Sequence, residues 1–262
     1  MIHNSILFDI GATKIRVAYS VDGEIFEEPK VVETPKNYND CRDVFNKLIK
    51  DCSGNREIKS IAGGMSRSIP DWNPEKLKID LEKSFDADVF IENDSAIVGL
   101  GEASWGAGRD FNIVAYITVS TGVGGARIVE RKLDERSIGF EPGKQIINMS
   151  SGETLEDLIS GKALAKKTGK NPKEITDQNI WDEHAKILAI GLNNIIVEWS
   201  PDVVVLGGSM ITGDPAIPLD KTENYLKEIL KIFPKLPAIK KAELGDFGGL
   251  YGALAFLKDT NQ

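Results

Sequence analysis

Hydrophobic positions along the chain switch between two periods, and this pattern predicts strands and helices in alternation. β-Branched strand-like runs occur at SILFDIG, TKIRVAYSV, GEIFEEPKVVET, SIAGGM, ADVFIEN, NIVAYITVS and GGARIVER. Helical spacing occurs over 40–52, 74–85, 95–105, from about 155, and over 182–199. The later segment DVVVLGG predicts a fully buried strand that runs into a loop. This alternation favours an α/β fold.

The length and net charge of the chain exclude several kinds of protein. The 262 residues suffice for one large domain or two lobes. With 32 Lys and Arg against 40 Asp and Glu, the net charge is −8, so we expect no nucleic-acid or membrane partner. The chain has two cysteines, Cys41 and Cys52, and two histidines, His3 and His184. They form neither a disulfide framework nor a group with the spacing of zinc ligands. There is no leader-like segment and no run of ~18 apolar residues, so we expect a cytoplasmic protein.

Two segments share a pattern of strand, small-residue turn and return strand: ILFDIGATKIRVAYS (6–20) and IVAYITVSTGVGGARIVERKL (113–133). A glycine-rich hairpin tip lets several backbone amides converge on one phosphate. For either hairpin alone, ordinary turn glycines are the simpler interpretation. Together with VVVLGGSM, the two hairpins favour a nucleotide site.

The segments DIGATKIR, IENDSA, TVSTGVGG, LEDLISGKAL and PDVVVLGG resemble the ROK sugar kinases, within the actin, Hsp70 and hexokinase superfamily. They occur in the family's order over nearly the whole chain. The resemblance implies a two-lobed actin-like ATPase (ribonuclease H-like) α/β fold with a ligand cleft between lobes. We expect a small lobe over 1–110, joined by a C-terminal helix over 250–258, and a large lobe over 111–249.

The implied activity is ATP-dependent phosphorylation of a hexose, first of all glucose at its 6-hydroxyl. Fructose, mannose or an N-acetylhexosamine are alternative substrates, and a non-catalytic sugar- or nucleotide-binding protein is an alternative function. A ROK repressor is not expected, because the first strand begins by about Ile6 and leaves no room for a helix-turn-helix. The resemblance favours a homodimer.

The resemblance also assigns the nucleotide-binding groups. Asp9 would hold the Mg²⁺ of MgATP, through water. Lys14 or Arg16 would add positive charge near the transferred phosphate, with solvated strand residues as an equal alternative. The remaining phosphate- and nucleotide-binding residues would be Gly11, Ala12, Thr13, Thr121, Gly122, Gly124, Gly125, Gly207 and Gly208.

The sugar-binding and catalytic groups would lie in three other segments. In the family, the residue matching Asp94 takes the proton of the sugar hydroxyl, and that matching Asn93 binds the sugar; the residues alone favour helix capping for both. Glu141 and Glu156 match positions that bind sugar hydroxyls. For Glu156 a first-turn helix residue is the simpler interpretation, and for Glu141 a solvated position before a turn is an equal alternative. The loop from Gly63 to Pro70 is expected to face the sugar.

The chain departs from the family at one motif. Where many members carry Glu-x-Gly-His, this chain has Glu141, Pro142, Gly143 and Lys144, and the family's Cys-rich loop is absent. Both departures predict no structural zinc. Lys144 would offer the substrate a cation and no neutral acceptor, so it leaves the identity of the sugar open. We expect Lys144 near Glu141 or Glu156, with a solvated position as an equal alternative.

Overall fold

The computed structural model describes residues 3–66 and 73–260, and the chain divides into two compact units. One unit comprises Met1–Gly106 with Leu244–Gln262, and the other comprises Ala107–Glu243. In chain order the elements are β1 (Ser5–Ile10), β2 (Lys14–Ser20), β3 (Lys30–Glu33), α1 (Tyr38–Ser53), β4 (Ser60–Met65), α2 (Pro74–Phe85), β5 (Asp88–Asn93), α3 (Asp94–Ser104), β6 (Ile113–Val119), β7 (Val123–Val129), β8 (Lys132–Leu133), β9 (Ile146–Asn148), β10 (Glu153–Thr154), α4 (Leu155–Ile159), α5 (Gly161–Thr168), α6 (Gln178–Trp199), β11 (Val203–Gly207), α7 (Ser209–Thr212), α8 (Leu219–Ile229), β12 (Ala238–Lys241) and α9 (Gly248–Thr260).

The first unit is a five-stranded sheet in the order β3-β2-β1-β4-β5. β1, β2 and β3 are antiparallel neighbours, and β4 and β5 continue the sheet parallel to β1. All six residues of the central strand β1 are buried, as expected for a strand covered on both faces. Alternate residues pack on opposite faces, with Phe8 against α1 and Leu7 against α9. Asp9 shares the face of Leu7, so its carboxylate faces α3 and α9.

Glycines allow α3 and α9 to pack at short range. A Cβ atom at Gly101 would lie 2.4 Å from the carbonyl oxygen of Gly248, and one at Gly252 would lie 1.7 Å from that of Ile97. No larger residue fits at these positions unless the helices separate. The close packing of α3 against α9 holds the first residues of both helices next to Asp9.

The second unit repeats the topology of the first. Its five-stranded sheet has the order β12-β11-β6-β7-β8, in which β6, β7 and β8 are antiparallel and β11 and β12 run parallel to β6. The long helix α6 packs its apolar side, including Trp181, against this sheet. The α/β fold class predicted from the sequence is therefore confirmed, and each of the two similar hairpin segments opens one unit.

Two predicted elements differ from those observed. The segment GEIFEEPKVVET forms a strand only at β3, because Pro29 just before it has no N–H for a sheet ladder. The helix predicted from about Leu155 is two helices divided at Ser160, which ends α4 and accepts a hydrogen bond at 3.2 Å from the N–H of Ala163 to cap α5. Over the described residues, no helix is both long and apolar enough to cross a membrane.

Candidate functional site

Asp9 is a nearly buried carboxylate at the C-terminal end of β1. Its Oδ2 accepts a hydrogen bond at 3.0 Å from Nη1 of Arg16, its partner across the β1–β2 hairpin. Burial raises the pKa of Asp9 to about 6; the Arg16 guanidinium opposes this shift, and the carboxylates of Asp94 and Asp246 add to it. Asp9 is therefore a buried carboxylate that is paired with one cation, Arg16, and has two further carboxylates nearby.

The two cations of β2 differ in position. The side chain of Arg16 is only 13% exposed and reaches Asp9, whereas that of Lys14 is 50% exposed. Both also approach Asp246, with Lys14 Nζ at 3.6 Å and Arg16 Nη2 at 3.4 Å from its carboxylate oxygens. Of the two candidates, the structure places Arg16 inward, and the buried Nε of Arg16 has no hydrogen-bond partner among the described residues.

Asn93 and Asp94 lie where β5 ends and α3 begins. Asn93 is the N-cap of α3, and its Oδ1 accepts a hydrogen bond at 3.2 Å from the N–H of Ala96. Asp94 is half-buried; its Oδ1 accepts the N–H of Ser95 at 2.8 Å, and the side chain of Ser66 donates to its carboxylate. Burial raises the pKa of Asp94, and these hydrogen bonds partly offset the shift. Because Asn93 supplies the cap, capping does not account for Asp94.

The tip of the first hairpin is a short, exposed turn. The N–H of Gly11 donates to the carbonyl of Lys14 at 3.0 Å, and Thr34 Oγ1 donates to the carbonyl of Gly11 at 2.8 Å. Ala12 and Thr13 are exposed at this tip. The turn leaves the side chain of Thr13 accessible to a ligand.

The second hairpin and the loop after β11 meet within the second unit. Ser120 Oγ and Ser209 Oγ lie 3.1 Å apart, which joins the β6–β7 turn to the start of α7. Gly208 has a φ of 86°, and a Cβ atom there would lie 2.3 Å from the carbonyl oxygen of Val119. Only glycine suits this conformation and this close approach.

A pocket of about 530 Å³ opens beside this junction. Its volume is in the range of small-molecule sites. The walls include Thr121 from the hairpin and Met210 from α7, so the pocket combines polar and apolar groups. Further lining residues, which the sequence analysis missed, come from the segments 161–162, 171–173 and 212–215. Residues 161–162 lie inside the LEDLISGKAL motif, whereas the only sequence signal of the other two segments was their place after the LEDLISGKAL and PDVVVLGG motifs.

The remaining predicted glycines occupy packed positions. A Cβ atom at Gly125 would lie 2.4 Å from the carbonyl oxygen of Tyr116, and one at Gly207 would lie 2.6 Å from the Tyr116 hydroxyl. Gly124 lies within β7, opposite Thr118. Packing inside the sheet accounts for Gly125 and Gly207 without a ligand.

Glu156 connects Lys144 to the second hairpin. Its Oε2 accepts a hydrogen bond at 2.8 Å from the N–H of Val123, and its Oε1 lies 2.6 Å from Nζ of Lys144. A Cβ atom at Gly122 would lie 2.7 Å from Oε2 of Glu156, so a larger residue there would displace this carboxylate. The expected position of Lys144 beside Glu156 is confirmed. Glu156 lies in the first turn of α4, as its simpler interpretation predicted, and Thr154 and Asp157 form the capping box of that helix.

Glu141 lies on the same side of the second unit. It is exposed and immediately precedes the short turn Pro142–Lys144, which packs on β7. The carboxylates of Glu156, Asp157 and Glu141 raise the pKa of Lys144, with the Glu156 hydrogen bond the largest cause. Part of the loop predicted to face the sugar, residues 67–70, lies outside the described residues.

Comparison with known proteins identifies the family. The model of the ROK family matches residues 6–260. The chain belongs to the ROK family. An N-acetyl-D-glucosamine kinase from Escherichia coli O127:H6 is 26% identical to it, and the alignment covers 97% of this chain and 99% of that protein.

Solved structures of sugar kinases share the fold. A ROK family glucokinase from Streptomyces griseus, in complex with glucose and AMPPNP, has a TM-score of 0.77 at 23% identity over 97% of this chain and 98% of its own. A putative N-acetylmannosamine kinase from Listeria monocytogenes has a TM-score of 0.78 at 22% identity over 98% of this chain and 100% of its own. The predicted actin-like fold is therefore confirmed.

The described part of the chain offers few ligands to a metal ion. Within residues 3–66 and 73–260, no three His, Cys, Asp or Glu side chains are grouped so as to hold a metal ion. A magnesium ion that enters with nucleotide phosphates needs only one or two carboxylates and water. The Asp9 carboxylate, which pairs with Arg16 and has Asp94 and Asp246 nearby, fits that need. The expected absence of zinc stays a prediction.

Proposed function

We propose that this chain is an ATP-dependent sugar kinase that phosphorylates a hexose. We expect the substrate to be glucose, phosphorylated at its 6-hydroxyl. Fructose, mannose and N-acetylhexosamines are the alternative substrates. Support comes from membership of the ROK family and from relatives named as kinases of glucose, N-acetylglucosamine and N-acetylmannosamine. Because those relatives differ in substrate, the sugar itself must come from experiment.

Asp94 is the observation that carries the proposal. A half-buried carboxylate whose pKa is raised by burial is a better proton acceptor than a solvated one. Its hydrogen bonds to Ser66 and Ser95 fix the orientation of the carboxylate. In the proposed reaction, the sugar hydroxyl oxygen attacks the γ-phosphorus while its proton passes to Asp94. The bond from the γ-phosphorus to the bridging oxygen breaks, and its electron pair remains on ADP.

The other residues bind and orient the two substrates. Asp9 would hold Mg²⁺ through water, and the ion would neutralise charge that develops on the phosphates. The Gly11–Thr13 turn and the Thr121–Gly122 turn would donate hydrogen bonds to phosphate oxygens. The 530 Å³ pocket would receive the nucleoside, with Gly208 permitting its close approach to the backbone.

The sugar would be bound by four residues: Glu141, Glu156, Lys144 and Asn93. Glu156 already accepts two hydrogen bonds from the protein, and its remaining lone pairs can still accept a sugar hydroxyl. Lys144 gives one hydrogen bond to Glu156 and has two N–H groups left for sugar oxygens. Three nearby carboxylates outweigh this single cation, so a neutral sugar fits better than a sugar acid.

A coupled assay that measures ADP formation from MgATP across hexoses and hexosamines tests the proposal. We expect turnover with one sugar or a few related ones, with a sugar phosphate as product. If the protein bound MgATP and a sugar in calorimetry but turned over none of the panel, it would be a non-catalytic binding protein and the proposal would be wrong.

A further inference from the structure

Asp246 is an exposed carboxylate that approaches both cations of the first hairpin. It lies in the short turn Gly245–Phe247, directly before α9, and its side chain is 70% exposed. Its Oδ2 is 3.6 Å from Nζ of Lys14, and its Oδ1 is 3.4 Å from Nη2 of Arg16. All of these residues belong to the first unit. Asp246 was not among the candidate residues predicted from the sequence.

The two ion pairs of Asp246 are loose. A charge-assisted hydrogen bond between a nitrogen and a carboxylate oxygen is about 2.7–2.9 Å long. Arg16 Nη1 lies 3.0 Å from the carboxylate of Asp9, whereas its Nη2 stays 3.4 Å from that of Asp246. Exposed ion pairs of this kind contribute little to stability, because water solvates both charges. A phosphate group that enters the site can therefore displace Asp246 from Lys14 and Arg16.

Helix stability explains only part of this arrangement. An acidic residue close to the N-terminus of α9 is favoured by the helix dipole. The dipole acts on any acid in that position and requires no contact with the hairpin. Within residues 3–66 and 73–260, the cations paired with Asp246 are Lys14 and Arg16. These are the two residues considered for contact with the transferred phosphate, so Asp246 competes with phosphate for the same cations.

The charges around the hairpin balance each other. Burial is the main cause that raises the pKa of Asp9, and the carboxylate of Asp246 adds to the shift, so the two carboxylates interact. Asp9 and Asp246 together offset the charges of Lys14 and Arg16. Free ATP carries more negative charge than MgATP, because the ion neutralises part of the phosphate charge. A hairpin without net positive charge therefore favours the less charged form.

We propose that Asp246 makes the nucleotide site select MgATP over metal-free ATP. The proposal rests on the proposed kinase function, because it requires phosphates to bind beside Lys14 and Arg16. The carboxylate of Asp246 repels both forms of the nucleotide, and it repels free ATP more strongly because free ATP carries more charge. Metal-free ATP bound in the site would lack the ion that neutralises charge on the phosphates. Asp246 is thus a specificity-determining residue that keeps the site available to the productive form of ATP.

The test measures nucleotide binding without sugar, so it needs no turnover. Calorimetry at about pH 8, where Asp9 is ionised, gives the Kd of the ATP analogue AMPPNP with excess Mg²⁺ and with EDTA. We call the Kd in EDTA divided by the Kd in Mg²⁺ the selectivity ratio. For the parent protein we expect a ratio well above one, since the metal-free form should bind more weakly.

Asp246→Asn keeps the size of the side chain and removes its charge. It should tighten the binding of metal-free AMPPNP more than that of the Mg²⁺ complex. We expect the selectivity ratio to fall roughly fivefold, the size of effect that one charge has over several ångströms through solvent. The fall should become smaller as salt is raised, because salt screens an exposed charge. An unchanged ratio at low salt would overturn the proposal.

Two control variants separate the position of the charge from net charge. Asp246→Glu keeps the carboxylate and should keep the selectivity ratio of the parent. Asp51→Asn removes one charge from an ion pair with Lys47 on α1, which packs on the sheet face opposite Asp9. It should leave the ratio unchanged. An equal fall in Asp51→Asn and Asp246→Asn would reject a specific role for Asp246, in favour of net charge alone.

Binding and turnover together separate this proposal from the kinase proposal. Turnover of a sugar with MgATP, combined with an unchanged ratio in Asp246→Asn, would reject the role of Asp246 alone. A parent that binds AMPPNP equally well with and without Mg²⁺ would also reject it. A fall in the ratio of Asp246→Asn, in a protein that phosphorylates no sugar, would reject the kinase function and support the selectivity. No binding of AMPPNP in either form would reject both.

Discussion

At the scale of single residues, Asp94 is the most decisive position in the protein. Asp94→Asn keeps the shape of the side chain and its hydrogen-bond acceptor for Ser95 but removes the proton acceptor. We expect kcat for the sugar to fall by roughly 10² to 10⁴-fold, as for a lost general base, with KM for MgATP little changed. Steady-state kinetics with the preferred sugar measures both constants.

The control for this change is Asp88→Asn at the other, exposed end of β5. It removes the same charge from the same strand and should retain full activity. Equal rates for the parent and both variants would make Asp94 a structural residue of the α3 N-terminus.

Lys144 tests whether the ion pair with Glu156 acts on the sugar. Lys144→Gln should raise KM for the sugar several-fold and leave KM for MgATP unchanged, because only one sugar contact is lost. The melting temperature should hardly move, since a pair of which one side chain is 58% exposed contributes at most about 1 kcal/mol. Kinetics and thermal unfolding of the same preparation measure these effects.

Lys221→Gln is the matched control for Lys144. Lys221 forms a similarly exposed ion pair at 3.2 Å with Asp182 in the same unit. Loss of this ion pair in Lys221→Gln should change neither the KM for the sugar nor the KM for MgATP. If both variants altered the sugar KM equally, the effect would be one of general charge and Lys144 would have no specific role.

The candidate residues could be named from the sequence, because short motifs contain them, and their chemical roles stay predictions. Asp9, Asp94 and the Lys144–Glu156 pair were all predicted as candidates. The choice between Lys14 and Arg16 could not be made, because alternation along a strand places both on one face and does not tell which side chain reaches inward. The lining of the pocket from 212 to 215 carries no motif and was missed for that reason.

At the scale of elements, the packing of α9 against β1 controls the position of Asp9. A Cβ atom at Gly249 would lie 2.7 Å from both Cβ and Cγ of Asp9, closer than atoms can approach. Gly249→Ala should displace this carboxylate and raise KM for MgATP roughly tenfold or more, because small misplacements are costly in phosphoryl transfer. Kinetics over a range of MgATP and Mg²⁺ concentrations measures the change.

The neighbouring glycine of α9 provides the control. At Gly248 the nearest atom to an added Cβ is Cγ1 of Val98, at 3.1 Å, a side-chain atom that can shift slightly. Gly248→Ala should therefore keep KM for MgATP and can gain up to about 1 kcal/mol of helix propensity. A Gly249→Ala protein with unchanged melting temperature and unchanged KM would show that Asp9 tolerates displacement and has no part in binding MgATP.

Element boundaries were predictable where a cap or proline marks them, and less so elsewhere. The predicted helix over 74–85 matches α2, which begins at a proline after the cap Asn73. The division at Ser160 was missed because one residue both ends α4 and caps α5, and the hydrophobic spacing continues through it. The edge strand β12 and helix α8 were also missed, since short or partly exposed segments give weak periodicity.

At the scale of the whole molecule, the two units repeat one topology, in which a hairpin is followed by two strands parallel to its first strand. The similarity of the two hairpin segments indicated only the opening of each unit, and the fold itself was predicted from the alternation of strands and helices together with the resemblance to the ROK kinases. The chemistry is not duplicated. Asp9 and Asp94 belong to the first unit, whereas the Lys144–Glu156 pair and the pocket belong to the second, so neither unit alone carries the full set of candidate residues.

The response of the whole protein to acid should depend on its single buried histidine. The chain has two histidines, and His184 is buried in α6 with Nδ1 2.7 Å from the carbonyl of Ile180 and Nε2 without a partner in the described chain. Burial lowers the pKa of His184, so the unfolded chain binds a proton there more readily than the folded one. His184 therefore stabilises the fold fully above about pH 6.5, the usual histidine pKa, and this contribution is lost as the pH falls below that value.

His184→Gln removes the titrating group and should reduce the free energy of unfolding that is lost on acidification. For one proton, that loss is at most about 1.4 kcal/mol per pH unit. The free energy of unfolding is measured with urea at about pH 7 and about pH 5. The raised pKa of Asp9 acts in the opposite sense in the same range, stabilising the fold as the pH falls below about 6, so the informative quantity is the difference between variant and parent. His3→Gln, at the exposed histidine, should follow the parent. If His184→Gln and His3→Gln both lost as much stability as the parent on acidification, the acid sensitivity would come from carboxylates, and the buried imidazole would titrate as it does in the unfolded chain.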